Sequence, residues 1–236
     1  MTTTATEPLN ARRQVAALAA GRITDWQRGY LADQARAVAV LARLRRGAGR
    51  AAGQLPDLWN LIDTRPLHEP AAGARRLTEP ELVRAEDALH VAFTLWALHQ
   101  QSRPTGMHRT GRTGADRGLG AAVRRMMKPG EIDEPLRKRL VRAGTAAELT
   151  GLAGRLRDIV TLLRRENLAL DYGLLAGQLY TWQQPGGPER IRSEWGRSFH
   201  AWHDEAATTP AGTGPKPAAG ADSHSHDRTD FDKDAS

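Results

Sequence analysis

Apolar residues recur along most of the chain at steps of three and four positions, which is the spacing of one face of an α-helix. The clearest case is the stretch 81–101, where Leu82, Leu89 and Trp96 share one stripe and Leu95 belongs to a second stripe beside it. A surface that wide is buried on more than one side, so this helix is expected at the centre of the core. No segment shows sustained alternation with β-branched residues. The pattern predicts an all-α fold, a helical bundle.

Several helix starts are marked by a Ser or Thr followed three residues later by Glu or Gln, the capping-box pattern. Thr24, Thr78 and Thr145 each begin such a box, and Pro188 is placed to begin the last helix. The predicted helices cover residues 9–20, 24–46, 55–62, 81–101, 118–127, 133–143, 146–166, 171–183 and 188–202. All six tryptophans fall among apolar neighbours at helical spacing, so core packing is expected for them rather than a platform for stacking unpaired bases.

The composition changes at both ends of the chain. Residues 1–8 are expected to be a flexible N-terminus, and residues 9–205 to form one all-helical domain. Residues 206–236 are dominated by Gly, Pro, Ala and Asp, with Phe231 as the single aromatic residue, so this tail is predicted to be disordered.

The chain contains no cysteine, which excludes disulfides, thiol catalysis and cysteine-ligated metals. No apolar run reaches the roughly 18 residues of a membrane span, and the N-terminus lacks the pattern of a signal peptide. These observations predict a cytoplasmic protein with no membrane partner.

The formal net charge is +7, which favours an acidic partner such as nucleic acid. The predicted tail carries three basic and five acidic residues, a net −2, which leaves residues 1–205 at +9. Only four of the 34 basic residues are lysine, and arginine binds phosphate oxygens in a bidentate way that lysine does not. A GC-rich genome supplies arginine codons without such selection, so the positions of the arginines carry the argument.

The first basic cluster lies at the predicted end of the helix 24–46 and in the glycine turn after it. Cations at a helix C-terminus offset the helix dipole, which is the alternative interpretation. Four arginines within eight residues exceed that need, so contact with anions is favoured. The members are Arg43, Arg45, Arg46 and Arg50.

The second basic cluster lies in the stretch 103–125, which combines six arginines with one carboxylate, Asp116. Its glycines predict a mobile loop, and the helix predicted at 118–127 would offer free N–H groups to phosphates. The loop lacks the Lys-Ser/Thr of a nucleotide-binding P-loop, so a polymer backbone suits it better than one mononucleotide. A solvated surface loop is the alternative. The candidate contacts are Arg103, His108, Arg109, Arg112, Arg124 and Arg125.

The third basic cluster lies on the predicted helix 146–166, opposite its apolar face. Asp158 and Glu166 partly offset the positive charge, and a solvated helix face is the favoured interpretation. The candidates for nucleic-acid contact are Arg157, Arg164 and Arg165.

No catalytic signature is present, so the chain is predicted not to be an enzyme and to need no cofactor or metal. His200 and His203 lack the glutamate of a zinc-protease motif, and no Ser-His-Asp order or nucleophile elbow is found. His90 and His99 lie on a packed helix and are expected to be structural. The pair His224 and His226 belongs to the predicted tail and is interpreted as a feature of that tail rather than a metal site.

Five stretches together resemble the CasB family, the small subunit of type I-E CRISPR Cascade surveillance complexes. The strongest part is an LDY segment at 170–172 followed by Trp182 and then by W-G-R-x-F at 195–199. The carrying stretches are LARLRRGAGR (41–50), ALHVAFTLWALHQQSR (88–103), MHRTGRTGADRGLGAAVRR (107–125), LRDIVTLLRRENLALDYGLLAGQLYTWQ (156–183) and RIRSEWGRSFHAW (190–202).

The resemblance implies an all-helical fold of two small sub-bundles, about 9–127 and 128–205. It implies a non-catalytic subunit that sits as two copies in a guide RNA-containing Cascade complex, contacts the CasC backbone and the CasA large subunit, and holds the target and displaced DNA strands of the R-loop. The alternatives are a structural adaptor, whose arginines contact acidic proteins, and a stand-alone DNA-binding regulator.

The resemblance also places particular residues. Arg45 and Arg46 match basic residues of the first helical unit, and Arg103, His108 and Arg109 match the basic connection before the L-G motif at 119–120. Some members of the family have an arginine directly after that motif, where this chain has Ala121. Arg124 and Arg125, one turn later, are the candidates to replace it.

Overall fold

The structure is a computed structural model, and it describes residues 10–52, 55–58, 60–69, 75–111 and 117–201. Within these ranges the only extended pairing is an isolated bridge between His108 and Leu170, so the all-α prediction is confirmed. The α-helices are α1 (Ala11–Leu31), α2 (Ala35–Leu44), α3 (Arg65–His68), α4 (Glu79–Gln100), α5 (Leu119–Arg125), α6 (Glu134–Gly144), α7 (Leu149–Arg165), α8 (Tyr172–Trp182) and α9 (Gly187–Ala201).

Helix α1 is continuous where the sequence predicted a break between residues 20 and 24. Asn10 caps it by accepting a hydrogen bond from the Arg13 N–H, and Gly21 lies inside it with open space around its Cα. The capping box predicted at Thr24 was therefore wrong. The chain turns later, after Leu31, where Asp33 takes the left-handed backbone conformation at φ 51°.

Of the other two predicted capping boxes, one is present and one is absent. Thr78 and Glu81 form the predicted box at the start of α4, with the Glu81 carboxylate accepting from the Thr78 N–H at 2.9 Å. The box predicted at Thr145 is absent because the Thr145 hydroxyl donates to the Arg142 carbonyl at the end of α6, and α7 begins only at Leu149.

The region between α2 and α4 differs most from the prediction. The helix predicted at 55–62 is a single 3₁₀ turn, Pro56–Leu58, and the short helix α3 was not predicted. Both are too short for a hydrophobic period of 3.6 residues to show. The remaining helices lie within a few residues of their predicted bounds.

The core is built around α4 and α8. Gly173 and Gly177 of α8 lie close to the backbone of α1. A Cβ on Gly173 would be 2.9 Å from the Ala16 carbonyl oxygen, and a Cβ on Gly177 would be 3.1 Å from the Arg12 carbonyl oxygen. Buried apolar residues from α1, α4, α7, α8 and α9 belong to one hydrophobic cluster. The division into sub-bundles of about 9–127 and 128–205 stays a prediction, and residues 1–8 and 206–236 lie outside the described residues.

Aromatic packing in the described ranges follows the prediction. Trp96, Trp182 and Trp195 are buried, and Trp26 packs half-buried against Trp96. Trp59 and Trp202 lie outside the described residues. None of the helices in this part of the chain combines the length and apolar character that a membrane span requires.

Glu81 makes the stability of the fold sensitive to acid. Its hydrogen bonds with Arg75 hold its pKa at about 2, well below the ordinary value of 4.5. A carboxyl group whose pKa is lowered by folding stabilises the fold above its unfolded pKa, and this contribution is lost as pH falls from 4.5 towards 2. We expect Glu81→Gln to lower the free energy of unfolding at pH 7 by about 1 kcal/mol and to flatten this acid-dependent loss.

The measurement is chemical denaturation at several pH values between neutral and strongly acidic. Glu79→Gln is the control, because Glu79 lies exposed in the same first turn. An equal acid-dependent loss of stability in wild type and Glu81→Gln would contradict the assignment.

Candidate nucleic-acid interface

The first basic cluster lies on a turn that packs against α4. Helix α2 ends at Leu44, and a 3₁₀ turn follows at Arg45–Gly47. A Cβ on Gly47 would lie 2.7 Å from Thr94 Cγ2, so the turn packs directly on α4. The side chains of Arg45 and Arg46 are consequently exposed, and neither has an ion pair or side-chain hydrogen bond with a described residue.

Arg50 and Arg43 have different surroundings. The backbone at Arg50 is held because the buried His90 Nε2 donates to its carbonyl oxygen at 3.1 Å, while the Arg50 side chain is exposed. The guanidinium of Arg43 donates to the carbonyl oxygen of Asp57 and so ties α2 to the 3₁₀ turn Pro56–Leu58. Arg43 is half-buried beside this turn, and its contact with nucleic acid stays a prediction.

The loop predicted to be mobile is fixed over its described part, residues 101–111. The side-chain amide of Gln27 binds the backbone of His108 in both directions, at 2.8 Å and 3.1 Å. On the other side of the loop, the backbone N–H of Leu170 donates to the Met107 carbonyl at 3.0 Å. The backbone N–H of Arg109 donates to the Leu170 carbonyl at 3.3 Å. Arg112 lies outside the described residues.

His108 is a core residue rather than a surface contact. Its side chain is only 4% exposed, and its Nδ1 accepts a hydrogen bond from the Tyr172 backbone at 3.1 Å. Burial lowers its pKa, which keeps the imidazole uncharged at neutral pH. Contact of His108 with nucleic acid stays a prediction, and this burial argues against it.

The side chains of Arg124 and Arg125 both bind backbone carbonyl groups of the chain itself. Arg124 donates to the Lys128 carbonyl at 3.2 Å, and Arg125 donates to the Ala169 carbonyl at 2.8 Å. Burial lowers the pKa of Arg125. Arg124 and Arg125 are half-buried and bound to the chain's own backbone, and Ala121 is buried. That the two arginines replace an arginine at position 121 stays a prediction.

The start of α5 packs closely against α9. A Cβ on Gly120 would lie 2.0 Å from the Trp195 carbonyl oxygen, so this glycine lets α5 lie directly against the backbone of α9. The N-cap Gly118 and the first residues of the helix are buried. A phosphate site at this N-terminus stays a prediction, which this burial does not support.

The third cluster connects the other two. On α7, Arg157 and Arg164 are seven residues apart, which places them on one face and about 10 Å apart along the axis. A Cβ on Gly49 would lie 3.2 Å from Arg157 Cδ, so Arg157 packs beside the turn of the first cluster. Arg164 Nε donates to the Gln101 carbonyl at 3.1 Å, at the start of the second cluster's loop.

Further arginines lie near the C-terminal end of α7. Burial lowers the pKa of His99 to about 3, and the nearby charges of Arg103 and Arg164 contribute to that lowering. Arg109 and Arg165 are exposed, whereas Arg103 is half-buried. Contacts of α7 with residue 49 and with residue 101 thus link the three clusters. We name the following arginines the basic strip: Arg45, Arg46, Arg50, Arg103, Arg109, Arg157, Arg164 and Arg165.

Sequence reasoning missed the residues that shape this surface. Gln27 was interpreted as part of a helix cap, yet it holds the loop at His108. Tyr30 accepts from the Ser102 N–H at 3.0 Å, and Asn167 ends α7 in the left-handed conformation at φ 55°. Only Asn167 had a recognisable signal, because Asn is common at such helix ends.

Other chemistry in the described residues is limited. His90 and His99 are buried and bonded to the Arg50 carbonyl and the Tyr172 hydroxyl, as expected for structural histidines. No group of His, Asp and Glu in these ranges is arranged to hold a metal ion. His203, His224 and His226 lie outside the described residues.

Comparison with known proteins identifies the family. The family model described as CRISPR-associated protein Cse2 matches residues 40–200. The crystal structure of CasB from Thermobifida fusca is 49% identical, with a TM-score of 0.70 over 80% of this chain and 98% of that chain. No curated protein matches.

A second solved structure, CasB from Thermus thermophilus, shares the fold at 23% identity, with a TM-score of 0.51 over 77% of this chain and 97% of that chain. The family match covers more than half of the chain, and the Thermobifida fusca structure is matched over nearly its whole length. The chain therefore belongs to the CRISPR-associated Cse2 family, the family of the CasB proteins.

Proposed function

We propose that the chain is a non-catalytic subunit of a type I-E CRISPR Cascade complex and that its basic strip holds DNA strands of the R-loop through their phosphates. The observation that carries this proposal is the arrangement along α7, where Arg157 adjoins the turn bearing Arg45 and Arg46 and Arg164 binds the loop that leads to Arg109. Contacts of α7 thereby reach both of the other clusters, which supports the proposal that the three act on one strand.

The state of these side chains supports contact with an external anion. Six arginines elsewhere in the described ranges form ion pairs with carboxylates, as Arg12 does with Glu194 at 2.6 Å and Arg22 does with Asp63 at 2.6 Å, whereas others such as Arg13 and Arg139 form none. The exposed arginines of the strip have no such partner among the described residues. They are Arg45, Arg46, Arg50, Arg109, Arg157 and Arg165.

The energetics of R-loops suit a protein of this kind. Guide RNA pairing supplies the sequence specificity, and the exchange of DNA duplex for RNA–DNA heteroduplex is nearly balanced. A few arginine–phosphate contacts are therefore enough to shift the equilibrium towards the open state. We propose the target strand and the displaced strand as the ligands, and CasC, CasA and a second copy of this chain as the protein partners.

The salt dependence of DNA binding tests the strip directly. For single-stranded DNA, each phosphate neutralised contributes about 0.7 to the slope of log K against log salt concentration. We expect Arg45→Gln with Arg46→Gln to reduce the magnitude of this slope by about 1.4, whatever the DNA sequence. The measurement is fluorescence anisotropy of a labelled single strand over a range of salt concentrations.

The matched control is Arg13→Gln with Arg139→Gln, which removes two exposed arginines that lie outside the strip. The control should keep the wild-type slope. An unchanged slope in the Arg45→Gln, Arg46→Gln variant contradicts phosphate contact, and tight sequence-selective binding to short duplexes would favour a stand-alone regulator instead.

A further inference from the structure

A cavity of about 720 Å³ opens between α1, α2 and residues 60–68. Its volume lies in the range of pockets that hold small organic ligands, which are typically apolar with a few polar groups. The basic strip does not include any of its lining residues.

One wall of this cavity is aromatic and rigid. Trp26 lines it, stacked on Trp96 with ring centroids 6.0 Å apart at 25° and in edge contact with Phe93 at 4.9 Å. These contacts fix the indole, whose half-exposed surface lines the cavity. Val40 and Ile62 add apolar surface beside it.

The polar lining offers neutral hydrogen-bonding groups. Gln34 and Asn60 are exposed amides at the cavity, and neither makes a side-chain hydrogen bond with a described residue. An amide presents a donor and an acceptor side by side, which is the pattern needed to bind the edge of a nucleobase.

The charges argue against an acidic peptide as the occupant. Asp25 and Asp63 both line the cavity, and hydrogen bonds from Arg65 hold the pKa of Asp63 well below its usual range, so it is ionised. A peptide carboxylate would meet these two negative groups. A neutral ring would not, and Arg36, exposed and without a partner among the described residues, is available for its phosphate.

The cavity and the basic strip both adjoin α2, the cavity near its first residues and Arg45 just after its last. Arg36, Val40 and Arg43 occur at steps of four and three residues, so they share one face of this helix. Arg36 precedes Arg45 by about 14 Å along the helix axis. At a stacked rise of about 3.4 Å per nucleotide, this axial separation alone corresponds to about four nucleotides, and a strand joining the two residues also passes around the helix, since nine residues turn it by about 180°.

We propose that this cavity receives one unstacked nucleobase of single-stranded DNA, whose ring lies against Trp26 while Arg36 binds the adjoining phosphate. This inference rests on the proposed function, because the strand is the one that the basic strip holds. The protein then has two separate modes of contact, with phosphates along α7 and with a base beside α2.

The test compares two short single-stranded DNAs that carry the same phosphates. In one DNA every nucleotide is abasic, and in the other a single central nucleotide carries thymine. We expect the full-length protein to bind the thymine-containing DNA about tenfold more tightly, the gain typical of one stacked base. With 4-thiothymine at that position, photo-cross-links are expected within residues 22–40 or 60–68.

Equal affinity for the two DNAs, or cross-links confined to other segments, would overturn the proposal. Displacement of the cross-link by thymidine monophosphate at the concentration of the DNA would also overturn it, because the site would then bind a free nucleotide rather than a base in a strand. The Arg45→Gln, Arg46→Gln variant separates the two proposals. If it binds both DNAs as wild type does while the thymine gain persists, the basic strip fails and the base cavity stands.

Discussion

Reversing three arginines of the basic strip, in Arg45→Glu, Arg46→Glu and Arg157→Glu together, is expected to shorten the R-loop lifetime of the assembled complex roughly a hundredfold. Each hydrogen bond to a charged group contributes about 1 kcal/mol or more, so three losses amount to about 3 kcal/mol. Because R-loop formation is nearly balanced, this difference appears directly in the population of the open state.

The measurement is the lifetime of R-loops formed by the reconstituted complex on supercoiled DNA. The matched control reverses Arg13, Arg76 and Arg139, which are also exposed but lie outside the strip, and it makes the same change in net charge. The side chains of Arg45, Arg46 and Arg157 make no ion pair with a described residue, so thermal unfolding should change little. Equal lifetimes in the strip variant and the control would refute the assignment.

Gly120→Ala is expected to produce the largest loss of stability, roughly 3 kcal/mol. A Cβ at this position would lie 2.0 Å from the Trp195 carbonyl oxygen and 2.7 Å from the Phe199 backbone nitrogen. Both obstacles are backbone atoms of α9, so no side-chain rotation relieves the clash and the two helices must separate.

Gly196→Ala is the matched control, because Gly196 lies in α9 itself and has no atom within 4 Å of an added Cβ. Alanine favours the helix by roughly 0.5–1 kcal/mol over glycine, so this variant should be more stable than wild type. The free energies of unfolding in urea test both expectations, and a Gly120→Ala variant as stable as wild type would show that α5 does not pack as described.

Helical periodicity was sufficient to predict the long elements. The stretch 81–101 buried its two apolar stripes as α4, and α5, α6, α8 and α9 lie within a few residues of the predicted 118–127, 133–143, 171–183 and 188–202. The break between residues 20 and 24 was wrong because a Thr-x-x-Gln pattern has the same letters inside a helix as at its start. In the structure the Gln27 side chain binds the backbone of His108 in the loop instead of capping a helix.

The candidate site was predictable as charge but not as geometry. The exposed arginines Arg45, Arg46 and Arg157 were identified from sequence, yet their proximity depends on Gly49 lying beside α7. By residue type alone, His108 and Arg125 look like surface contacts. In the structure His108 is buried and bonded to the Tyr172 backbone, and Arg125 donates to the Ala169 carbonyl. Local sequence carries no information about such distant neighbours.

The most direct measurement of the central claim is photo-cross-linking from α7 in the reconstituted complex with an R-loop formed. A photoreactive amino acid in place of Arg157 is predicted to cross-link to DNA, whereas the same amino acid in place of Arg139 on α6 is not. A cross-link from position 157 to protein alone, or none to DNA from either position, would contradict the proposal that the basic strip holds the strands of the R-loop.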